Sequence, residues 1–276
     1  MANSDRTIDG IPAMGYGTWN RPGEEAFNGV TWALEAGCRH IDTAQGYRNE
    51  EFCGDAIAKS GISRDEIFIT TKVAPDNYAA GVLRPSVEES LAKLKVDQVD
   101  LLLLHWPSPH ESVPMPVYME QLADVFDAGM ARRIGLSNFT IAQTDQAVAL
   151  LGDRKVATNQ VEIHVYSRNL PIVNHCRKLG ITTTAYSPLA RGAFVDDPVL
   201  ADIGAAHGKS GVDIALAFLI AEGHIVIPSS GKKDRIVSNF EARKIELSEE
   251  EMARVRELDR GFRVNEGKDW MPVWDR

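Results

Sequence analysis

Short apolar segments alternate with amphipathic, helix-like segments along almost the whole chain. The short segments are β-prone, and several are apolar at successive positions, which is typical of parallel strands buried on both faces. We predict strands at residues 14–17, 38–42, 67–72, 99–105, 133–137, 156–162, 181–186 and 224–227. We predict helices at residues 23–36, 49–60, 82–93, 117–128, 141–151, 171–179, 212–221 and 233–242. A long loop is expected between the seventh strand and the helix at 212–221.

Eight strand–helix units in 276 residues predict a closed (β/α)8 barrel, formed by residues 1–276 as a single domain. We expect a short N-terminal hairpin before the barrel. An extra helix at 248–258, with Ser248 and Glu251 as a capping box, and a tail should follow it. The alternative is a doubly wound open sheet, which would carry a G-x-G-x-x-G turn directly after a strand. Gly15–Tyr16–Gly17 lacks the third glycine, which favours the barrel.

Composition narrows the class of protein. The chain is 44% hydrophobic and 25% charged, as in ordinary globular proteins, and its net charge of −9 argues against a nucleic-acid partner. No apolar run is long enough to cross a membrane, and the N-terminus lacks the apolar core of a signal peptide. Three widely spaced cysteines favour reduced thiols over a disulfide framework. We therefore expect a cytoplasmic monomer without membrane contacts.

Polar residues end three of the predicted strands. Asp42, Lys72 and His105 close successive apolar runs, and Tyr47 lies just past the first of them. Catalytic groups of β/α barrels lie at the carboxyl ends of the strands, so these four side chains should meet. For reduction of a carbonyl, Tyr47 could donate the proton and His105 a second hydrogen bond to the oxygen. An ammonium at Lys72, held by Asp42, should lower the pKa of Tyr47, and no metal is needed.

At these residues the sequence resembles the aldo-keto reductase family. The resemblance extends in order over nearly the whole chain. Its segments are GCRHIDTA (37–44) followed by Tyr47, Asn49 and Glu50, then TTK (70–72), LHWP (104–107), IGLSNF (134–139), NQVE (159–162), AYSPL (185–189) and IPSS (227–230). Within the family, the short N-terminus, HWPSP (105–109) and IPSS are most like bacterial 2,5-diketo-gluconate reductases that also act as methylglyoxal reductases.

The resemblance implies a catalytic tetrad of Asp42, Tyr47, Lys72 and His105, and NADP(H) extended across the mouth of the barrel. Ser137, Asn138 and Gln160 would hold the carboxamide, and Tyr186 would stack on the nicotinamide ring. Ser187 and Leu189 would contact the pyrophosphate. The remaining cofactor contacts implied by the resemblance are Thr18, Asp42, Ser229, Ser230, Lys232, Arg235 and Asn239.

Three positions depart from the family pattern, and at one of them many members have glutamate where this chain has Ser238. Many members have lysine where this chain has Ser229, so Lys232 and Arg235 are left to pair with a 2′-phosphate at the start of the helix at 233–242. Relatives often carry tryptophan at Ala74, which would make this pocket wider. The substrate contacts implied by the resemblance are Trp19, Ala74, Trp106 and Trp270, with Trp274 also in the tail.

Two other functions compete with a small-carbonyl reductase. A metal-dependent barrel hydrolase could use Asp42, His105, Glu162 and His164, although neither an HxH nor an HExxH pair is present and Lys72 would oppose a cation. A regulatory protein could keep the fold and the cofactor without fast turnover, because a fold does not fix a function. The complete tetrad favours the enzyme, and its substrate is expected to be a small aldehyde or α-dicarbonyl.

Overall fold

The computed structural model describes residues 6–275. An antiparallel hairpin of β1 (Thr7–Ile8) and β2 (Ile11–Pro12) precedes the main sheet, as predicted. Eight parallel strands follow in sequential order. They are β3 (Tyr16–Gly17), β4 (His40–Asp42), β5 (Phe68–Val73), β6 (Leu101–Leu104), β7 (Ile134–Ser137), β8 (Val156–Glu162), β9 (Thr182–Tyr186) and β10 (Ile225–Val226).

The first and last strands of the sheet pair with each other and close it into a barrel. Met14 bridges Val226 in parallel, and the Val226 amide donates to the Ala13 carbonyl at 2.8 Å. The Gly17 amide donates to the Pro228 carbonyl at 3.0 Å. The predicted (β/α)8 barrel is therefore confirmed, and the doubly wound alternative is excluded.

Helices cover the outside of the barrel and follow the predicted positions to within a few residues. They are α1 (Glu24–Glu35), α2 (Glu50–Lys59), α3 (Leu83–Leu94), α4 (Met115–Asp127), α5 (Ile141–Leu151), α6 (Leu170–Lys178), α7 (Pro198–His207), α8 (Gly211–Ala221), α9 (Lys233–Glu241) and α10 (Glu249–Arg256). The extra helix α10 has the predicted capping box of Ser248 and Glu251.

The prediction of a long loop after β9 is wrong over residues 198–207, where the chain forms α7. The Asp197 carboxylate caps this helix by accepting from the amides of Val199 and Leu200, at 3.0 and 3.2 Å. Pro198 occupies the first turn, and Gly208 ends the helix in a left-handed conformation. These are ordinary start and stop signals. Only Leu200, Ile203 and Gly204 of this helix are buried, so its apolar positions form no clear helical stripe in the sequence.

Residues of β6 show how the core divides between the inside and the outside of the barrel. Leu101 and Leu103 belong to a small buried cluster with Ile11, Phe68 and Ile225. Leu102 and Leu104 join the larger core beneath the helices. A strand buried on both faces in this way explains the uninterrupted apolar run in the sequence.

In the described chain, no single helix has both the length and the apolar character of a membrane span. The pair α7 and α8, bent by 89° at their junction, reaches that length and composition only when joined. Helices buried in a protein core can have the same length and apolar composition, and α8 is buried over residues 213–220.

Candidate active site

The four predicted catalytic residues meet at the carboxyl ends of three neighbouring strands. Asp42 is the last residue of β4, Lys72 lies near the end of β5, and His105 follows β6. The Lys72 ammonium donates to Asp42 Oδ1 at 2.5 Å and to the Tyr47 hydroxyl at 3.4 Å. The Tyr47 and His105 rings meet edge to face, with centroids 5.4 Å apart. The four side chains thus form one contiguous polar group.

Gln45 fixes the short 3-10 turn that carries Tyr47. Its Oε1 accepts from the Ala74 amide at 2.8 Å, and its Nε2 donates to Ser86 and Ser90. The side chain therefore ties the turn after β4 to the loop after β5 and to α3. Sequence reasoning missed Gln45, because its partners are 29 to 45 residues away.

Lys72 is buried with its charge compensated. Its side chain has no exposed surface, and it also donates to the Thr43 carbonyl at 2.8 Å. Burial acts to lower the pKa of Lys72, but the Asp42 carboxylate and the contact with the Tyr47 hydroxyl outweigh it and the pKa is raised. The ammonium therefore persists at neutral pH, as an ion that is buried together with its counterion.

Tyr47 departs from the expected direction of its pKa. Burial raises the pKa of Tyr47, the Lys72 ammonium opposes this, and the Asp42 carboxylate adds to it. The prediction that Lys72 acts to lower the pKa is confirmed, but the net shift is upward because burial dominates. Tyr47 is consequently a protonated phenol at neutral pH, poised beside a cation.

His105 is uncharged at neutral pH. Burial, followed by the charge of Lys72, lowers the pKa of His105 to about 3. A neutral imidazole carries one N–H donor and one acceptor. His105 can therefore donate a hydrogen bond to a substrate oxygen without bringing a second positive charge to the site.

A second polar network joins the ends of β7 and β9 to the tetrad. The Tyr186 hydroxyl donates to Asn138 Oδ1 at 2.7 Å, and Asn138 Nδ2 donates to the His105 carbonyl at 3.0 Å. Asn138 has a left-handed backbone with φ 66°, and so has Ser187 with φ 46°. Asparagine tolerates this conformation well, which accounts for the residue type at this sharp turn.

The amide of Gln160 connects β8 to the ion pair. Gln160 Nε2 donates to Asp42 Oδ2 at 2.8 Å, and the Ser137 hydroxyl donates to the Gln160 carbonyl at 2.9 Å. Thr18 is buried beneath them, and its hydroxyl donates to the Asp42 carbonyl at 3.1 Å. Leu189 is half-buried and packs against the core in the loop after β9. These predicted residues therefore lie at or near the carboxyl ends of β3, β7, β8 and β9.

The basic residues predicted to pair with a 2′-phosphate lie at the start of α9. Lys232 and Arg235 are exposed, and neither forms an ion pair within residues 6–275, whereas Lys233 pairs with Glu35 at 2.8 Å. Asn239, by contrast, is buried on the inner face of α9. Two free cations thus remain at a helix N-terminus, which favours an anion.

Ser229 and Ser230 are fixed next to these cations. The Ser230 carbonyl accepts from the Tyr16 hydroxyl at 2.8 Å, and the Ser230 hydroxyl accepts from the Lys232 amide at 3.2 Å. Arg21 Nε donates to the Ser229 hydroxyl at 3.3 Å. Arg21 was missed, although a basic residue in the loop after the first barrel strand was a usable signal. It brings a cation beside the position where many relatives have lysine.

Aromatic residues surround the mouth of the barrel. The Trp106 ring lies 4.8 Å from that of Trp270 and 6.0 Å from that of Trp274, so the tail is docked against the residue after His105. Trp19 is 48% exposed on another side of the mouth. Ala74 follows β5, and its amide is held by Gln45. The rings of Trp19, Trp106, Trp270 and Trp274 therefore provide flat apolar walls.

Glu162 and His164 have a different role from the metal site considered above. The Glu162 carboxylate accepts from His164 Nε2 at 3.1 Å and from the amides of Val264 and Asn265 at 2.6 and 3.0 Å. Burial acts to raise the pKa of Glu162, but the hydrogen bonds from His164 and the Val264 amide, together with the charge of Arg263, outweigh it and the pKa is lowered. Residues 6–275 contain no group of three or more His, Cys, Asp or Glu arranged for a metal. Glu162 instead anchors the C-terminal tail.

The family model described as Aldo/keto reductase family matches residues 13–260. Methylglyoxal reductase DkgB of Escherichia coli O157:H7 is 41% identical over 265 residues, which cover 96% of this chain and 99% of that protein. A solved structure of a protein provisionally named 2,5-diketo-D-gluconic acid reductase B has a TM-score of 0.93 at 42% identity, covering 97% of this chain and 95% of the other. The structure of Bombyx mori aldo-keto reductase AKR2E4 in complex with NADP has a TM-score of 0.87 at 35% identity, covering 94% and 93%.

Proposed function

The chain belongs to the aldo/keto reductase family, and on that premise we propose that it reduces small aldehydes or α-dicarbonyls with NADPH. Tyr47 is the proton donor in this proposal. The observation that carries it is the buried Lys72 ammonium, which contacts both the Asp42 carboxylate and the Tyr47 hydroxyl.

The site residues can stabilise the charge that develops during carbonyl reduction. NADPH, when bound, would supply a hydride for the carbonyl carbon, and the carbonyl oxygen would then gain negative charge. Tyr47 transfers its hydroxyl proton to that oxygen, and the phenolate left behind is stabilised by Lys72 at 3.4 Å. Asp42 keeps Lys72 oriented and charged, and neutral His105 donates a second hydrogen bond to the oxygen. Charge stabilisation of this kind acts strongly in a buried site.

The donor set at the barrel mouth fits a dinucleotide. The amides of Asn138 and Gln160 match a carboxamide, and Tyr186 offers a ring face for the nicotinamide. The unpaired cations Lys232 and Arg235 match a 2′-phosphate, which distinguishes NADPH from NADH. The NADP complex of the Bombyx mori relative supports this choice.

The substrate class rests on the walls and on the relatives. Trp19, Trp106 and Trp270 leave flat apolar surfaces beside the tetrad, which suit a compact carbonyl compound. The names of the relatives favour methylglyoxal and 2,5-diketo-D-gluconate as first candidates. Ala74 is smaller than the tryptophan that relatives often carry at this position, so bulkier aldehydes are the second candidate class.

Tyr47→Phe tests the proposal, because it removes the hydroxyl and keeps the ring. We expect NADPH-dependent reduction of methylglyoxal to fall by roughly 10²–10⁴-fold, the usual loss of general acid catalysis. NADPH affinity, measured by fluorescence titration, should barely change. Near-normal turnover by the variant would remove Tyr47 from the mechanism, and a wild type inactive toward every aldehyde tried would contradict the function.

A further inference from the structure

Arg263 presents a buried hydrogen-bonding edge that has no partner in the described chain. Its guanidinium lies over the Trp274 ring, with Cζ 4.0 Å from the centroid. Nε and Nη2 are both buried, and neither has an acceptor within residues 6–275. These two nitrogens form one side of the planar guanidinium, the side that binds a carboxylate with two parallel hydrogen bonds.

Arg263 lies next to the wall of the candidate active site. Trp274, on which the guanidinium stacks, lies 6.0 Å from Trp106, the residue directly after His105. The Tyr186 hydroxyl donates to Asn138, which in turn donates to the His105 carbonyl, so Tyr186 belongs to the site. Burial raises the pKa of Tyr186, and the charges of Glu162 and Arg263 also act on it, so the arginine lies nearby.

The nearby carboxylate does not satisfy Arg263. Glu162 carries a full set of donors in His164 and the amides of Val264 and Asn265, with the Asn265 side chain as a fourth at 3.1 Å. Those contacts hold the backbone next to Arg263 in place. The charge of Arg263 acts on Glu162, but no Glu162 oxygen accepts from Nε or Nη2. Leaving a buried charged donor unpaired is costly, so a site that keeps one is suited to a charged acceptor.

We propose that Arg263 binds a carboxylate carried by the substrate, and that the enzyme selects anionic oxo acids over neutral carbonyl compounds. This inference rests on the proposed function and names its substrate class. The carbonyl group is held by Tyr47 and His105 while the carboxylate is held by the arginine edge. Stacking on Trp274 holds the guanidinium plane in one orientation, so binding of a carboxylate costs little side-chain conformational entropy.

Matched acid and ester substrates test this selection. The pairs are 4-carboxybenzaldehyde with methyl 4-formylbenzoate, and 4-oxobutanoate with its methyl ester, each assayed with NADPH. We expect wild type to favour the acid of at least one pair in kcat/KM. Arg263→Gln should lower that acid-to-ester ratio roughly 10- to 100-fold, which corresponds to losing hydrogen bonds to a charged group. Arg263→Lys keeps the positive charge but loses the two parallel N–H donors, and it should give an intermediate acid-to-ester ratio.

Arg260→Gln is the matched control. Arg260 lies in the same tail and stacks at 3.7 Å on Tyr166, but its side chain is exposed. Its removal changes the net charge equally and should leave the acid-to-ester ratio unchanged. Thermal melting of each variant identifies any loss of folding.

An acid-to-ester ratio that Arg263→Gln leaves unchanged would overturn the proposal, whether the turnover of both substrates is kept or is lost equally. If NADPH binding also became weaker while the ratio stayed unchanged, the edge would be assigned to a cofactor phosphate. A wild type that reduces the esters but not the acids would refute the inference and leave the reductase function standing. Absence of turnover with every substrate would refute the function itself.

Discussion

Lys72 illustrates how one buried residue can determine the chemistry of its neighbours. An ammonium without exposed surface is stable only with a counterion, and Asp42 provides it at 2.5 Å. Because burial outweighs the ammonium at Tyr47, the phenol stays protonated, so its proton is available to a substrate. The same ammonium then stabilises the phenolate that the proposed reaction produces. Lys72 therefore acts mainly on the product of proton transfer, not by ionising the phenol beforehand.

Arg235 and Lys233 are two exposed cations whose comparison tests cofactor selection. We expect Arg235→Ala to weaken NADPH binding by roughly 1.5–3 kcal/mol, as for a lost charge-assisted contact, and to leave NADH binding nearly unchanged. Lys233→Ala is the control, since Lys233 already pairs with Glu35. Titration of both cofactors against both variants gives the answer. Equal weakening of NADPH and NADH would make Arg235 a structural residue.

At the scale of elements, the closure of the barrel depends on how closely β3 approaches β10. A Cβ added at Gly17 would lie 2.8 Å from the Ile227 carbonyl oxygen, which belongs to the backbone and cannot move aside cheaply. The same strand end precedes Thr18 and Trp19 at the mouth of the barrel. Barrel closure and active-site geometry therefore both depend on the seam, which is the junction where β3 meets β10.

Gly17→Ala is accordingly expected to destabilise the protein by about 1–3 kcal/mol, the usual cost of overpacking. Urea unfolding measures the loss. Gly46→Ala is a useful control, because its Cβ would meet His105 at an ordinary 3.9 Å. A Gly17→Ala protein as stable as wild type would mean that the seam between β3 and β10 is looser than its hydrogen bonds indicate.

At the scale of the whole molecule, the barrel and the tetrad could both be predicted from the sequence, and for the same physical reason. Strands buried on both faces leave long apolar runs, and the polar residues that end them are conspicuous, as Asp42 and Lys72 are. Other contacts depend on tertiary structure. Gln45 and Arg21 join segments that are far apart in sequence, and no local pattern distinguishes these two residues or Arg263 from surface residues. The net pKa of Tyr47 was mispredicted because burial cannot be read from strand ends alone.

Buried histidines make the stability of the whole molecule sensitive to acid. Burial lowers the pKa of His105 to about 3 and that of His224 to about 4, and it also lowers the pKa of His40. Below the unfolded value of about 6.5, the unfolded chain binds protons that the folded chain refuses, so stability falls with decreasing pH. The loss continues until the folded pKa values are reached.

His224→Gln should reduce this loss. Between pH 6.5 and 5, the variant is expected to lose roughly 2 kcal/mol less stability than wild type, since one proton contributes about 1.4 kcal/mol per pH unit. Urea unfolding at several pH values measures this difference. The exposed His110→Gln serves as the control. Parallel stability curves for wild type and His224→Gln would show that His224 takes up a proton in the folded state.

The central claim, hydride transfer from NADPH with Tyr47 as the acid, is tested most directly by following the transferred hydrogen. NADPH carrying deuterium at the reactive position of its nicotinamide is mixed with methylglyoxal and enzyme, and the product alcohol is analysed by mass spectrometry. Wild type should place deuterium on the former carbonyl carbon, and Tyr47→Phe should do so at least roughly 10²-fold more slowly. A wild-type product without deuterium, or labelling by Tyr47→Phe at the wild-type rate, would contradict the account.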